Sequence, residues 1–553
     1  MLRTLLKSIT RHEWLFILAV SVFVILLTTA PYIYGWLVAP ADYHYTGLHS
    51  LTPGDIHVYY SYLEQVRQGH WLFSDLYTTE PQPYPMLNIF WLLLGLIAKI
   101  FRLSNIIAFQ VARILLIPVL VFVLYFISAY FFRAKTWRTI SFIFLVFASG
   151  WGAVASPFLE GNVYQKGWYN WPLDLWAPES NTLLTLLQSP HLILSTLFII
   201  IALFLFFLSL EHRQLKYSFT AGLFCLALFA FHPFHIPTLL TIMAGYLLYQ
   251  FIKDKKITFA YLKHFLLICL LSSPAIIYYL YLSFYDDLTR FRTLQNICLT
   301  PSLWVTLISF APLFLGAVFA IYNIIRRRAW TNPTVFLVIW LVVQFAFVYS
   351  PLPWQRRMLQ GWQIPMTLLA VIGLNYLYAY LRRILSPANF DFYIRNKYLA
   401  VIVFITLLCP SQIFNFVREF SIFTNPQYIE QLYISPDRFA GYQWLKDHLV
   451  ATDKVLCDIL NGNLIPGQTG QRVFVGHGVE TLFFESKSTL TFWFFKTNDH
   501  DDLKQRFLRD NHLDYLFFSG TEDAIGDFIP ADKSYLRPVF HSGQTVIYQV
   551  DLP

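Results

Sequence analysis

Eleven apolar runs, each about 20 residues long, leave this chain one broad way to fold. They fall at 14–36, 106–132, 137–156, 191–210, 216–232, 236–253, 258–284, 303–325, 333–349, 360–381 and 398–416. No Asp or Glu lies inside any of them. Such a segment reads as a bilayer-crossing helix, because a helix satisfies its own backbone N–H and C=O groups where no water can. With 56% hydrophobic residues, 13% charged residues and a mean hydropathy of +0.50, the chain is no soluble globule. The expected fold is an α-helical polytopic membrane protein with about 11 or more transmembrane helices.

The formal charge of +8 could point to nucleic acid, but its distribution does not. Basic residues cluster in short loops: Arg3/Lys7/Arg11, Arg133/Lys135/Arg138, Arg213/Lys216, Lys253/Lys255/Lys256, Arg326 to Arg328, and Arg382 to Lys397. Alternating sides through eleven spans puts every cluster on the cytoplasmic face, which is the positive-inside pattern. Membrane lipids, and no nucleic acid, are therefore the expected surroundings. Loops 37–84, 157–190, 285–302 and 350–359, and everything after about residue 420, then face outward. Met86 to Phe101 resists this scheme: either it enters and returns, or the 106–132 run is a hairpin broken near Pro118. The basic start and the long 14–36 run predict an uncleaved first span. Five scattered cysteines show no metal-ligand spacing, and three lie in apolar runs, so no disulfide framework is expected. With no glycosylation-rich or targeting feature, a bacterial plasma membrane is the expected location.

Composition changes near Thr424, dividing the chain into a transmembrane part, 1–424, and a domain at 425–553 that carries more than half of the acids. There SPDRFAGYQWLKDHL and DDLKQRFLRDN predict helices, and VLCDIL and DYLFFSG predict strands. YLRPVFHSGQTVIYQV predicts a hairpin turning at Ser542-Gly543. This is a small C-terminal α/β domain, expected on the extracytoplasmic side.

Ten acids of the transmembrane part, Asp42, Asp55, Glu64, Asp75, Glu80, Glu160, Asp174, Glu179, Asp286 and Asp287, sit in outer loops rather than at membrane depth. That counts against an ion-coupled transporter, whose carboxylates act as relays inside the bilayer. The longest early polar stretch, Thr52 to Pro85, carries Asp55, Glu64, Asp75 and Glu80. Within it Val58 to Arg67 predicts an amphipathic helix lying in the membrane interface, with Val58, Tyr62 and Val66 on one face. Asp55, at the start of that helix, is the leading catalytic candidate; Gly54-Asp55 also suits a helix N-cap, and the two roles are compatible. Arg356 and Arg357 in PLPWQRRMLQG lie on the outer side, where topology does not explain them. A guanidinium fork suits phosphate, and snorkelling at a span end is the other reading. His191, Glu179 and His57 are candidates for a metal or substrate, with Asp174 further off. His232 and His235 in FHPFHIP suit either a shared site or a tight turn, and His477 in VGHGVET suits a helix cap. Trp168, Tyr169, Trp171 and Trp176 in GWYNWPLDLW suggest a substrate lid, led by Trp168 and Trp171, or an interfacial segment.

Asp55, the helix HVYYSYLEQVRQGHW, the Pro-rich EPQPYPMLNIFW and the Arg113-led ARILLIPVLVFVLYFISAYFF together resemble the GT-C class of integral-membrane glycosyltransferases. PGQTGQRVFVGHGVET followed by DYLFFSG is similar to the outer domain of its bacterial members. That class includes protein O-mannosyltransferases and aminoarabinose transferases. The resemblance implies a GT-C-like domain with catalytic outer loops 37–84, 157–190 and 350–359. It implies inverting transfer of a sugar from a polyprenyl-phosphate donor to a lipid, glycan or protein acceptor, with Asp55 as general base and Arg356 and Arg357 on the donor phosphate. A divalent ion, Mg or Mn, would bridge Asp55 to that phosphate. Two departures bear on the metal: Ile56 and then His57 stand where a second acid often follows, and His191 stands where a later acid is expected. The competing reading is a lipid or glycan exporter, or an assembly scaffold without transferase activity.

Overall fold

The computed structural model describes residues 2–51, 53–159, 167–385 and 397–552. Thr52, Glu160, residues 386–396 within the Arg382 to Lys397 cluster and the side chain of Trp168 lie outside what is described. Every apolar run forms helix. Among the described residues six helices are long and apolar enough to cross a bilayer, and nine if each of three bent pairs counts as one span. The other two runs form Leu215–Phe229 and Asn332–Val348, of 15 and 17 residues. At 1.5 Å per residue these reach about 22 and 25 Å, short of a hydrocarbon core of about 30 Å. Against the expected count of 11 or more, six to nine spans among the described residues meet the length.

Ile89–Ile100 has 12 residues, about 18 Å, too short to cross alone. Asn105–Phe131 is one continuous helix running through Pro118, so the broken-hairpin alternative is wrong. Its freed backbone position does not stop the helix, as is common where neighbouring helices cover a proline.

The chain divides into two compact units. The first comprises Met1–Ala30, Ala112–Tyr278 and Ile297–Arg418. Its three bent pairs are Lys135–Phe147 with Gly152–Phe158, Leu303–Ser309 with Ala311–Arg327, and Leu399–Leu408 with Pro410–Thr424, the last continuing past the unit's edge. Their breaks meet. Ser149 N–H donates to the Leu408 carbonyl at 2.7 Å and Trp151 N–H to the Ile308 carbonyl at 3.1 Å. Leu173 N–H donates to Ser309 Oγ at 2.9 Å, and Gly152 N–H to Asp174 Oδ2 at 3.1 Å. Each break exposes helix-end groups that the others satisfy, which makes non-helical backbone tolerable there. Asp174 is wholly buried in this node, and burial pushes its carboxyl up to about 6 against several hydrogen bonds that favour ionisation. It holds loops together rather than facing a substrate. Ala311–Arg327 and Gln363–Ile384 touch backbone to backbone, so a Cβ on Gly373 would stand 2.3 Å from the Gly316 carbonyl oxygen.

The second unit comprises Pro31–Val111, Tyr279–Asn296 and Glu419–Pro553, so the α/β part shares it with two earlier segments. A five-stranded sheet runs in the spatial order Arg472–Val473, Lys454–Leu456, Tyr515–Phe518, Thr545–Val550, Leu536–Ser542. The first three strands are parallel and the last two form the expected hairpin. Pro538 lies on that edge strand beside a register shift, where its missing N–H costs no ladder bond. Leu456, Phe474, Phe494, Phe495, Leu508 and Leu516 form the core beneath the sheet. The VLCDIL strand is shorter than predicted: it stops at Leu456 because Asp458 caps the next helix, Ile459–Thr469, by accepting Asn461 N–H at 2.7 Å.

The Pro53–Arg67 helix does not lie half-exposed in an interface. Ile56, Val58, Tyr60, Tyr62, Leu63 and Val66 are all buried. One side packs on Ile89–Ile100, with Tyr59 stacked on Trp91 at 4.6 Å. Another lies against Ile459–Thr469, where a Cβ on Gly467 would stand 2.8 Å from the His57 carbonyl oxygen. Its polar side is buried too, because Glu64 is neutralised by Arg67 at 2.5 Å and Lys446 at 3.0 Å. The periodicity was real, but ion pairing let both faces enter the core.

Candidate active site

Asp55 is the third residue of the Pro53–Arg67 helix, in the first turn, where free N–H groups favour a negative charge. Its carboxylate is 38% exposed and its Oδ1 lies 3.0 Å from Nε2 of His477. His477 comes from the loop that follows the Arg472–Val473 strand. That loop is seated by close backbone contacts. A Cβ on Gly476 would come 2.2 Å from the Gly462 carbonyl oxygen, and a Cβ on Gly54 would press on His477 Cδ2 at 3.2 Å. Gly476 N–H also donates to Thr481 Oγ1, which in turn donates to the Tyr77 carbonyl. Burial opposes a charge on the His477 ring, but the hydrogen bond and charge of Asp55, with Glu480 and Asp75 adding, leave its pKa raised.

Beside this pair sits a second charged group. Arg292 Nη1 lies 2.9 Å from Glu480 and 3.9 Å from Asp75. Asp75 is buried, and burial together with the Glu480 carboxylate pushes its carboxyl up to about 7. Arg292 is thus shared between two carboxyl groups, and Asp75 is the one whose proton is held more tightly than usual. Gln295, one helical turn further on, donates to the Thr481 carbonyl at 2.6 Å. His57 belongs to none of this. Its ring is fully buried against Tyr60, burial drives its pKa down to about 3, and it cannot serve as a metal or substrate ligand at a surface.

The remaining candidates lie in the first unit. Arg356 Nη1 is 3.1 Å from Glu179 and its guanidinium covers the Trp176 ring at 4.5 Å. Both charges are buried, so each balances the other in this structure. Arg357 lies over the Phe234 ring at 4.8 Å, and its charge bears on His232, whose pKa is lowered mainly by burial and next by His235 and His191. His191 Nδ1 is 2.6 Å from Ser189 Oγ, and its ring meets His232 edge-on at 5.7 Å. His232 and His235 are 4.8 Å apart between ring centroids, and His235 Nε2 lies 2.9 Å from Gln360 Oε1. The FHPFHIP segment is therefore a shared imidazole cluster beside an arginine. Trp171 is half-buried and its carbonyl accepts the Trp176 indole N–H at 3.1 Å.

Among the described residues no three His, Cys, Asp or Glu side chains converge as a cation site. Of the proposed ligands, Glu179 is ion-paired with Arg356 and His191 Nδ1 is hydrogen-bonded to Ser189. Sequence reading missed the Asp55–His477 and Arg292–Glu480 pairs, whose partners are 422 and 188 residues apart. The one local sign was His477 between two glycines, a seat too tight for an ordinary cap.

No protein-family description matches the chain, and no curated protein does. Solved structures do. The apo form of the Archaeoglobus fulgidus oligosaccharyltransferase aligns with 94% of this chain and 73% of its own, at 12% identity and a TM-score of 0.55. The same archaeal enzyme, AglB, in complex with an inhibitory peptide and a dolichol-phosphate aligns over 98% and 75%, at 12% identity and 0.55. Its complex with Zn and sulfate aligns over 97% and 74%, at 13% identity and 0.51. At such identities the likeness is one of fold. The chain has the polytopic membrane architecture of a GT-C enzyme, as the early resemblance implied.

Proposed function

We propose that this GT-C-fold membrane protein is a glycosyltransferase that moves a sugar from a polyprenyl-phosphate donor to an acceptor on the outer or luminal side, with Asp55 as general base. The observation that carries the reading is the fold shared with AglB along nearly the whole chain, with Asp55 at the head of the first outer-loop helix. The AglB complex holds a dolichol-phosphate and a peptide, which supports a lipid-phosphate donor and a separate acceptor. In the proposed step the acceptor nucleophile forms a bond to the anomeric carbon while Asp55 takes its proton. The bond from that carbon to the lipid phosphate breaks in line, so the anomeric centre inverts. General-base help of this kind is worth about 10²–10⁴ in rate. No step is routed through Mg or Mn, because among the described residues no three His, Cys, Asp or Glu side chains converge as a cation site. The acids of the α/β domain are proposed to face the outer side, and the sugar and acceptor are left to the assay.

The test is a donor-consumption assay on the full chain in lipid nanodiscs, using radiolabelled polyprenyl-phosphate glucose, mannose and arabinose. Wild type should consume at least one of them, and Asp55→Asn should lower that rate by about 10²-fold or more while keeping the thermal midpoint. Equal consumption by the two proteins, or none by wild type, would overturn the reading and favour the exporter or scaffold.

A further inference from the structure

His477 presents two different ring nitrogens to two different kinds of neighbour. Its Nδ1 faces two backbone donors, the N–H of Val479 at 3.3 Å and of Glu480 at 3.2 Å. An imidazole nitrogen that accepts N–H bonds carries no proton, so the ring proton sits on the other nitrogen. That nitrogen, Nε2, is the one 3.0 Å from Asp55 Oδ1. The backbone thus selects the tautomer, and the tautomer points one N–H at one oxygen of the carboxylate.

The seat is built for this. Gly54 lies beside the imidazole where any side chain would press on it, and the Gly462–Gly476 contact sets the depth of the loop. Thr481 ties the loop to the Tyr77 carbonyl, and the Tyr77 ring meets the imidazole at 6.0 Å between centroids. A histidine serving only as a helix cap would need none of these constraints.

We infer that His477 is a positioning residue for Asp55: its Nε2–H holds Oδ1 and so fixes the direction in which the carboxylate presents its second oxygen. This rests on the reading of Asp55 as general base. His477 touches no reacting atom. It acts by orientation, as the last group of a nucleophile–base–orienter arrangement does. It also favours the ionised carboxylate, because a hydrogen bond to the charged form lowers the tendency to protonate. The groups that share this field are Glu480, Asp75 and Arg292, with Tyr77 and the buried His57 on the remaining sides.

The test uses full-length protein in nanodiscs with whichever radiolabelled polyprenyl-phosphate sugar the wild type consumes, and compares His477→Ala, His477→Gln, His477→Asn and Asp55→Asn. A glutamine amide nitrogen can reach the place of Nε2, and an asparagine amide cannot. His477→Ala and His477→Asn should lower kcat by about 10- to 100-fold, as loss of one hydrogen bond to a charged group implies, with KM changed less than about twofold. The acid limb of the rate profile should move up by about one pH unit in both. His477→Gln should restore both the rate and the limb to near wild type. Equal rates and limbs in the Gln and Asn variants, with Asp55→Asn inactive, would overturn the positioning role and leave the base assignment standing. Wild-type rates in Asp55→Asn would overturn both. If His477→Ala loses its thermal transition, the Gln and Asn pair decides the matter.

Discussion

A buried carboxyl that keeps its proton leaves a mark on stability. Burial and the Glu480 charge lift Asp75 from its ordinary 3.8 to about 7, with Arg292 only partly offsetting them. The unfolded chain releases that proton near pH 4. Between about pH 4 and 7 the folded state therefore holds a proton the unfolded state has lost, and stability falls as pH rises through the window. Asp75→Asn keeps the shape without the charge. Its thermal midpoint should lie closest to wild type near pH 4 and exceed it increasingly up to about pH 7, above which the gap levels off; parallel curves would refute the assignment. Arg356→Ala strands the buried Glu179 and should cost about 3–5 kcal/mol, read as a lower thermal midpoint.

At the scale of elements, hydropathy carried the reading a long way, and it carried it for a physical reason. Each apolar run had to become helix, because nothing else hides its backbone from lipid. What hydropathy does not encode is where a helix bends. The breaks near Ser149 to Trp151, at Ser309-Phe310 and at Cys409-Pro410 are stabilised by bonds from one broken span to another, which no single run contains. The same limit hid the burial of the Pro53–Arg67 helix. Its polar stripe read as solvent-facing, while Lys446, 382 residues away, supplied the charge that let Glu64 go inside. Asp55 was legible as a loop acid at a helix start, and His477 as its partner was not. A contact made by backbone alone can be tested directly. Gly373→Ala places a methyl group 2.3 Å from the Gly316 carbonyl oxygen in a helix crossing that has no side chain to yield. Overpacking of this kind costs about 1–3 kcal/mol. The detergent-solubilised variant should melt lower than wild type, and an unchanged midpoint would mean that the two helices cross elsewhere.

For the whole molecule the open question is which side the α/β domain occupies, and parity settles what to expect. Ile89–Ile100 is too short to cross, so it does not shift the count. Asn105–Phe131 is unbroken, so it counts once. With the nine spans that meet the length and the two shorter helices Leu215–Phe229 and Asn332–Val348 crossing as well, the count is odd. The N-terminus, carrying Arg3, Lys7 and Arg11, then lies inside and the residues after Pro410–Ser421 lie outside. The clusters at Arg133/Lys135/Arg138, Arg213/Lys216, Lys253/Lys255/Lys256 and Arg326 to Arg328 fall inside on the same count. If only one of the two short helices failed to cross, the clusters beyond it would all move outside, at a cost in insertion that the positive-inside bias opposes. An alkaline phosphatase fused after Pro553, active only where disulfides form, should therefore be active in a bacterial host. A cytoplasmic fluorescent reporter at the same position should be dark. The reverse pattern would remove one crossing from the count, and with it the outer location on which an acceptor approaching from outside depends.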